Sequence, residues 1–228
     1  MAWNTIAAEL AKLRTLPAVL VTVGVTVLAA AALGAALAAA PSGQPLTATE
    51  AALRTAGYTQ TGLIVLGVLA IASEYAGTQA RTSLTAVPVR SLLIAGKIVA
   101  YLVAAAVTAL LALSAALAGA LLTGLPMGGD GAALPRAAAY LVLIGLLALA
   151  VATLTRDAIA ALATTLGLVL VLPPVLANAV ADYLPGSAGA RMYQPGPGLT
   201  PQVGALVLAA WLAVALAAAI LSFTRRDA

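Results

Sequence analysis

The chain has 228 residues, of which 63% are hydrophobic and 8% charged, with a net charge of +4. A soluble domain carries roughly 25% charged residues, so this composition excludes a water-exposed surface and specifies an integral membrane protein. Cysteine and histidine are both absent, which removes disulfides, thiolate and imidazole metal ligands, cysteine nucleophiles and Ser-His-Asp catalysis.

The first element predicted is a helix over Trp3 to Leu16. Trp3, Ile6, Leu10 and Leu13 recur at helical spacing, with Glu9 and Lys12 on another face. Such a helix lies in the interface plane of a bilayer, with the indole as an anchor. A membrane helix needs roughly 20 apolar residues, and six stretches qualify: Pro17 to Ala40, Tyr58 to Ser73, Ile98 to Leu122, Ala137 to Leu154, Ala158 to Asn178 and Val203 to Phe223. Ala38 and Ala40 form an A-x-A pattern, yet the first apolar run is too long for the ~7–15-residue core of a signal peptide. The fold class expected is an all-α integral membrane protein with six spans and no second domain.

The second span opens on "YTQT". Lipid contact is costly for such side chains, so Tyr58, Thr59, Gln60 and Thr61, with Asn178 at the close of the fifth span, are candidate pathway residues. The expectation is that the four face a dimer interface and an exit path, or else form a fringe at headgroup level. In the fifth span, Pro173-Pro174 predicts a kink, because proline removes a helical hydrogen bond.

The positive charges orient the bundle. With the N-terminus inside, Lys12, Arg14, Arg81, Arg90, Lys97, Arg156, Arg225 and Arg226 are cytoplasmic, and Arg54, Arg136 and Arg191 lie outside. This excess follows the positive-inside rule. It places both termini in the cytoplasm of a cell whose plasma membrane holds the chain, and it assigns the bases to membrane boundaries rather than to nucleic acid. No span carries a charge near its middle, which argues against an ion-driven carrier.

Between the second and third spans runs "SEYAGTQARTSLTAVPVRSLLIAGK", residues 73 to 97. Charges at the bilayer centre cost about 2.5–3.5 kcal/mol each, so the run cannot span. It exceeds the ~2–8 residues that a helix–helix return needs. Thr78 to Ala86 holds no helix breaker, and Pro88 forces Val87 toward an extended conformation. A short helix across the cytoplasmic ends of the second and third spans is one reading; a solvated loop is the other.

The order of residues in this run resembles the first cytoplasmic loop of ABC-2 type transporter permeases. The matching features are Glu74-Tyr75, Gly77-Thr78, Pro88-Val89-Arg90 and Lys97. The opening "ELAKLRTLP" resembles the family's opening segment, and "RRDA" after the final apolar span is similar to the close of small actinobacterial members. The resemblance implies that the loop is a coupling helix seated on a separate ATPase chain, with Glu74, Tyr75, Gly77, Thr78, Arg81, Pro88, Arg90 and Lys97 as the ATPase-coupling residues. It implies a second permease copy or paralogue, an N-terminal interface helix, and a re-entrant outer hairpin after the fifth span, with Pro185-Gly186 as its turn. It also implies that ATP and Mg²⁺ are held by the partner and that this chain carries no cofactor, metal or catalytic residue.

The residues agree on the last point. A P-loop needs G-x-x-x-x-G-K-[ST]. In "SLLIAGKI", Ser91 replaces the first glycine and Ile98 the hydroxyl, and the segment opens a span. The function expected is the permease subunit of an ATP-driven exporter. The competing readings are an ATPase-independent carrier or channel, and a membrane scaffold that transports nothing.

Overall fold

The computed structural model describes residues 2–40, 46–75, 90–176 and 180–225, with side chains undescribed at 2–4, 73–75, 90–93 and 223–225. The described residues contain helices and no strands. In chain order these are α1 (Ala2–Thr15), α2 (Pro17–Ala39), α3 (Ala48–Tyr75), α4 (Arg90–Leu122), α5 (Ala133–Thr155) and α6 (Ala158–Leu166), followed by a π-helical turn (Gly167–Val171) and α7 (Leu172–Leu176). A 3₁₀ turn (Ala181–Tyr183), α8 (Pro185–Ala190) and α9 (Pro201–Arg225) complete the chain.

Six helical stretches are long and apolar enough to cross a membrane: Pro17–Ala39, Ala48–Ala72, Ile94–Leu122, Ala133–Thr155, Ala158–Leu176 and Pro201–Ser222. The protein is therefore a multi-pass membrane protein, as the composition requires. α5 is the central helix and α3 lies beside it; both are mostly buried, while few residues of the α2, α6–α7 and α9 stretches are.

Lipid tails are as apolar as leucine, so no hydrophobic force distinguishes helix from lipid, and close backbone approach holds such bundles together. Gly67 and Gly145 mark the α3–α5 crossing: a Cβ on Gly67 would collide with the Gly145 carbonyl, and one on Gly145 with the Leu63 carbonyl and the Tyr101 hydroxyl. Gly34 and Gly119 do the same between α2 and α4, against the backbones of Ala116 and Ala31. Gly62 of α3 fits against Thr26 of α2. Gly24, by contrast, faces open space.

α3 begins ten residues before the predicted Tyr58. Thr47 and Glu50 cap each other: the Thr47 N–H donates to Glu50 Oε2 at 2.9 Å, and the Glu50 N–H to Thr47 Oγ1 at 3.3 Å. This capping box supplies partners for the helix's first free N–H groups. The hydroxyls within α3 then bond their own helix, Thr55 to Ala52 O and Thr59 to Thr55 O. A polar stretch thereby extends the helix rather than ending it.

α5 ends at Arg156, which takes a left-handed conformation (φ 56°) and donates its N–H to Ala152 O. Asp157 then caps α6 by accepting from the Ala160 N–H at 2.7 Å. Two residues thus reverse the chain between the fourth and fifth spans.

Pro173 and Pro174 have no N–H to donate, and the turn before them is π-helical, with the Leu172 N–H reaching Gly167 O. Π-helical turns are rare in α-helices and recur at functional sites. The expectation of Pro185-Gly186 as the tip of a hairpin is corrected: the break comes at extended Leu184 (φ −72°, ψ 148°), and Pro185 is the first residue of α8. Proline suits that position, where its missing N–H would have no helical partner. α8 packs inward. The Gly186 backbone lies against the Val169 carbonyl of the π turn, and Gly189 against the Tyr140 ring and Leu208.

Candidate functional site

The two ends of the bundle carry different chemistry. At one end α1 lies on α4. Two residues of its predicted apolar stripe face protein, Leu13 buried and Leu10 packed on the core, and Gly96 of α4 lies against Thr5. Beside that contact Lys97 Nζ donates to Glu9 Oε2 at 3.0 Å, with side-chain exposures of 3% and 13%. A buried pair of this kind holds its helices in one arrangement, because separating the partners strands a charge in a low-dielectric setting. Lys97 thus faces α1, about two turns into α4, whose first residue is Arg90.

Of the other coupling candidates, Glu74 and Tyr75 fall in the last turn of α3, and Arg90 is the first residue of α4. Gly77, Thr78, Arg81 and Pro88, and with them the helix predicted over Thr78 to Ala86, lie outside the described residues. Asn178 does too.

The pathway candidates divide. Successive helical residues are 100° apart, so four in a row cannot share one face, and the expectation that all four face an exit path is corrected. Tyr58 is exposed, and with Thr59 and Thr61 it lines a groove of about 380 Å³ between α2 and α3, whose other wall includes Thr22 and Thr26. Gln60 turns the other way, into the core. Its Nε2 donates to Gly57 O at 2.7 Å, and its Oε1 accepts from the Tyr140 hydroxyl. Tyr140 also reaches Gly186 O at 3.4 Å, so one buried phenol joins α3, α5 and α8. A second phenol, Tyr101, donates to Val142 O at 3.2 Å and ties α4 to α5.

Tyr140, Tyr101 and Glu9 were not singled out by sequence reasoning as site residues. Six tyrosines in so apolar a chain were an available signal, since a buried phenol needs a partner. The Glu9–Lys97 pairing had none, because the partners are 88 residues apart.

Six helices long and apolar enough to cross a membrane, with an amphipathic helix pinned to the third of them, define a polytopic membrane protein. Comparison with known proteins makes this specific. The family model described as ABC-2 family transporter protein matches residues 5–177, and the chain belongs to that family. The match runs from α1 through α7; α8 and α9 lie beyond it. No curated protein matches the chain. The molecule is a permease of an ABC transporter, a membrane subunit and not an enzyme.

Proposed function

We propose that this permease couples ATP hydrolysis on a separate ABC ATPase chain to export, with the 74–97 segment as the contact and a second permease copy or paralogue completing the pathway. Membership of the ABC-2 family supports the ATPase partner. The observation that carries the coupling is the buried Lys97–Glu9 pair. It fastens α1 to α4 about two turns in from the loop, so a push on the loop that reaches α4 moves α1 with it instead of being lost in a slack joint. Glu74, Tyr75 and Arg90 flank the loop on the last turn of α3 and the first of α4, where a force on residues 77–88 would enter the spans. ATP and Mg²⁺ belong to the partner, and the termini and the loop face the cytoplasm of the plasma membrane.

Cross-linking tests this reading. The chain lacks cysteine, so Ser83→Cys carries a benzophenone at a single position. In membranes holding the permease and its ATPase, illumination should yield one adduct between them. A probe at Met127→Cys, in the loop at the opposite end, should yield none. The reverse pattern would place the ATPase contact elsewhere.

A further inference from the structure

At the end of the bundle opposite α1, a cavity of about 520 Å³ opens between the first turns of α3, the start of α5 and the turn before α9. Its polar wall comprises Glu50, Arg54, Asp130, Tyr193 and Gln194. Most of these groups are already committed. Glu50 accepts from the Thr47 N–H, Asp130 accepts from the Ala132 N–H and from Arg136, and Gln194 donates to Leu53 O at 3.4 Å.

Two are not. Arg54 makes no ion pair or side-chain hydrogen bond among the described residues. Tyr193 is 3% exposed, its ring tilted against Tyr140 at 5.4 Å between centroids. Its hydroxyl has no hydrogen-bond partner among the described residues and is not fully enclosed, so it is left to the cavity. The ring is buried while the hydroxyl opens on the cavity, where it is free to donate to a bound group. Burial pushes the Tyr193 phenol up, so it acts as a donor.

The uncommitted donors on this cavity are a guanidinium fork, whose neighbouring charge is the Glu50 carboxylate, and a phenolic O–H. Guanidinium pairs bidentately with planar or tetrahedral oxo-anions. The Glu50 and Asp130 carboxylates on the same wall oppose a second negative charge. The geometry points to a binding site for a singly charged oxo-anion, a phosphodiester or carboxylate, held by Arg54 and Tyr193. A lipid headgroup and a soluble ligand both carry such a group. The site stands apart from the ATPase contact and does not depend on it.

The test is ¹⁹F NMR of the full chain labelled with 3-fluorotyrosine in a neutral detergent. The Tyr193 resonance, one of six, is assigned by its loss in Tyr193→Phe. Diethyl phosphate, acetate and dihexanoyl phosphatidylglycerol are titrated in turn, with uncharged triethyl phosphate as the control. A saturable shift of that resonance with any of the three anions is expected. Diethyl phosphate or acetate acting unaided marks a soluble ligand, and the phosphatidylglycerol acting where they do not marks a headgroup. Arg54→Gln should raise the half-saturation concentration by about tenfold or more, since hydrogen bonds to a charged group are among the strong ones. Arg54→Lys, which keeps the charge, should fall between. Arg54 is exposed on a helix surface, so both variants retain the fold, and an unmoved Tyr101 resonance verifies it. No shift with any anion, an equal shift with triethyl phosphate, or an Arg54→Gln titration identical to wild type would overturn the assignment.

Discussion

The Lys97–Glu9 pair is a strong constraint made by single residues. Both side chains are nearly enclosed, and removing one partner of a buried ion pair costs about 3–5 kcal/mol, whereas replacing both with apolar groups is often neutral. Lys97→Met or Glu9→Leu should therefore each lower the unfolding midpoint of the detergent-solubilised chain. The double variant should recover most of the loss. Additive losses in a double-mutant cycle would mean that the two side chains do not act as a pair. The same reasoning applies to the phenol that joins three elements. Tyr140→Phe leaves Gln60 Oε1 without its donor, at a cost of about 1–3 kcal/mol, and Tyr140→Phe with Gln60→Leu should cost less than Tyr140→Phe with Gln60 retained. Unfolding measured by circular dichroism in dodecyl maltoside would compare the two.

At the scale of elements, α3 stands out, because it is long where a short helix was expected. The Thr47–Glu50 box starts it, and loss of such a cap costs about 1 kcal/mol. Thr47→Ala should shift thermal unfolding by that amount and accelerate amide exchange over residues 48–52. Exchange unchanged from wild type would show that packing against the 123–132 loop, where the Ala48 N–H meets Pro126 O at 3.0 Å, suffices to hold the start. The α3–α5 crossing is less forgiving. Gly67→Ala or Gly145→Ala places a methyl group on backbone, and overpacking of this kind costs about 1–3 kcal/mol. Gly24→Ala, which meets nothing within 4 Å, should be silent in the same assay.

Much of the element pattern was legible in the sequence, because apolar length decides which segments can cross a bilayer. Pro17, Asp157 and the Pro173-Pro174 pair also mark boundaries or breaks in the chain itself. The start of α3 was legible too, as T-x-x-E, but "YTQT" masked it: polarity suggests a helix end only when the polar groups face lipid. Here Thr59 bonds its own helix and Gln60 bonds Tyr140. Whether a polar residue is buried against a partner depends on packing between distant segments, and spacing along one segment carries no record of it. α8 escaped for a similar reason, since Pro-Gly reads as a turn until the rest of the chain supplies the Tyr140 ring and Val169 carbonyl that the short helix packs against.

For the whole molecule, the orientation rests on the positive-inside bias. An impermeant thiol reagent on intact cells should label Met127→Cys and spare Ser83→Cys; labelling at 83 with protection at 127 would invert the bundle and with it the direction of the proposed export. The central claim is that residues 74–97 transmit work between this permease and an ATPase. The measurement that addresses it most directly is the rate of ATP hydrolysis by the partner ATPase reconstituted with wild-type permease, Glu74→Ala or Arg81→Ala in vesicles. Wild type should alter the rate relative to the ATPase without permease. Glu74→Ala and Arg81→Ala, equally inserted, should lose most of that effect, as removal of a buried charged contact costs about 2–5 kcal/mol. Rates indistinguishable from wild type in both variants would make the segment a solvated loop and contradict the coupling assignment.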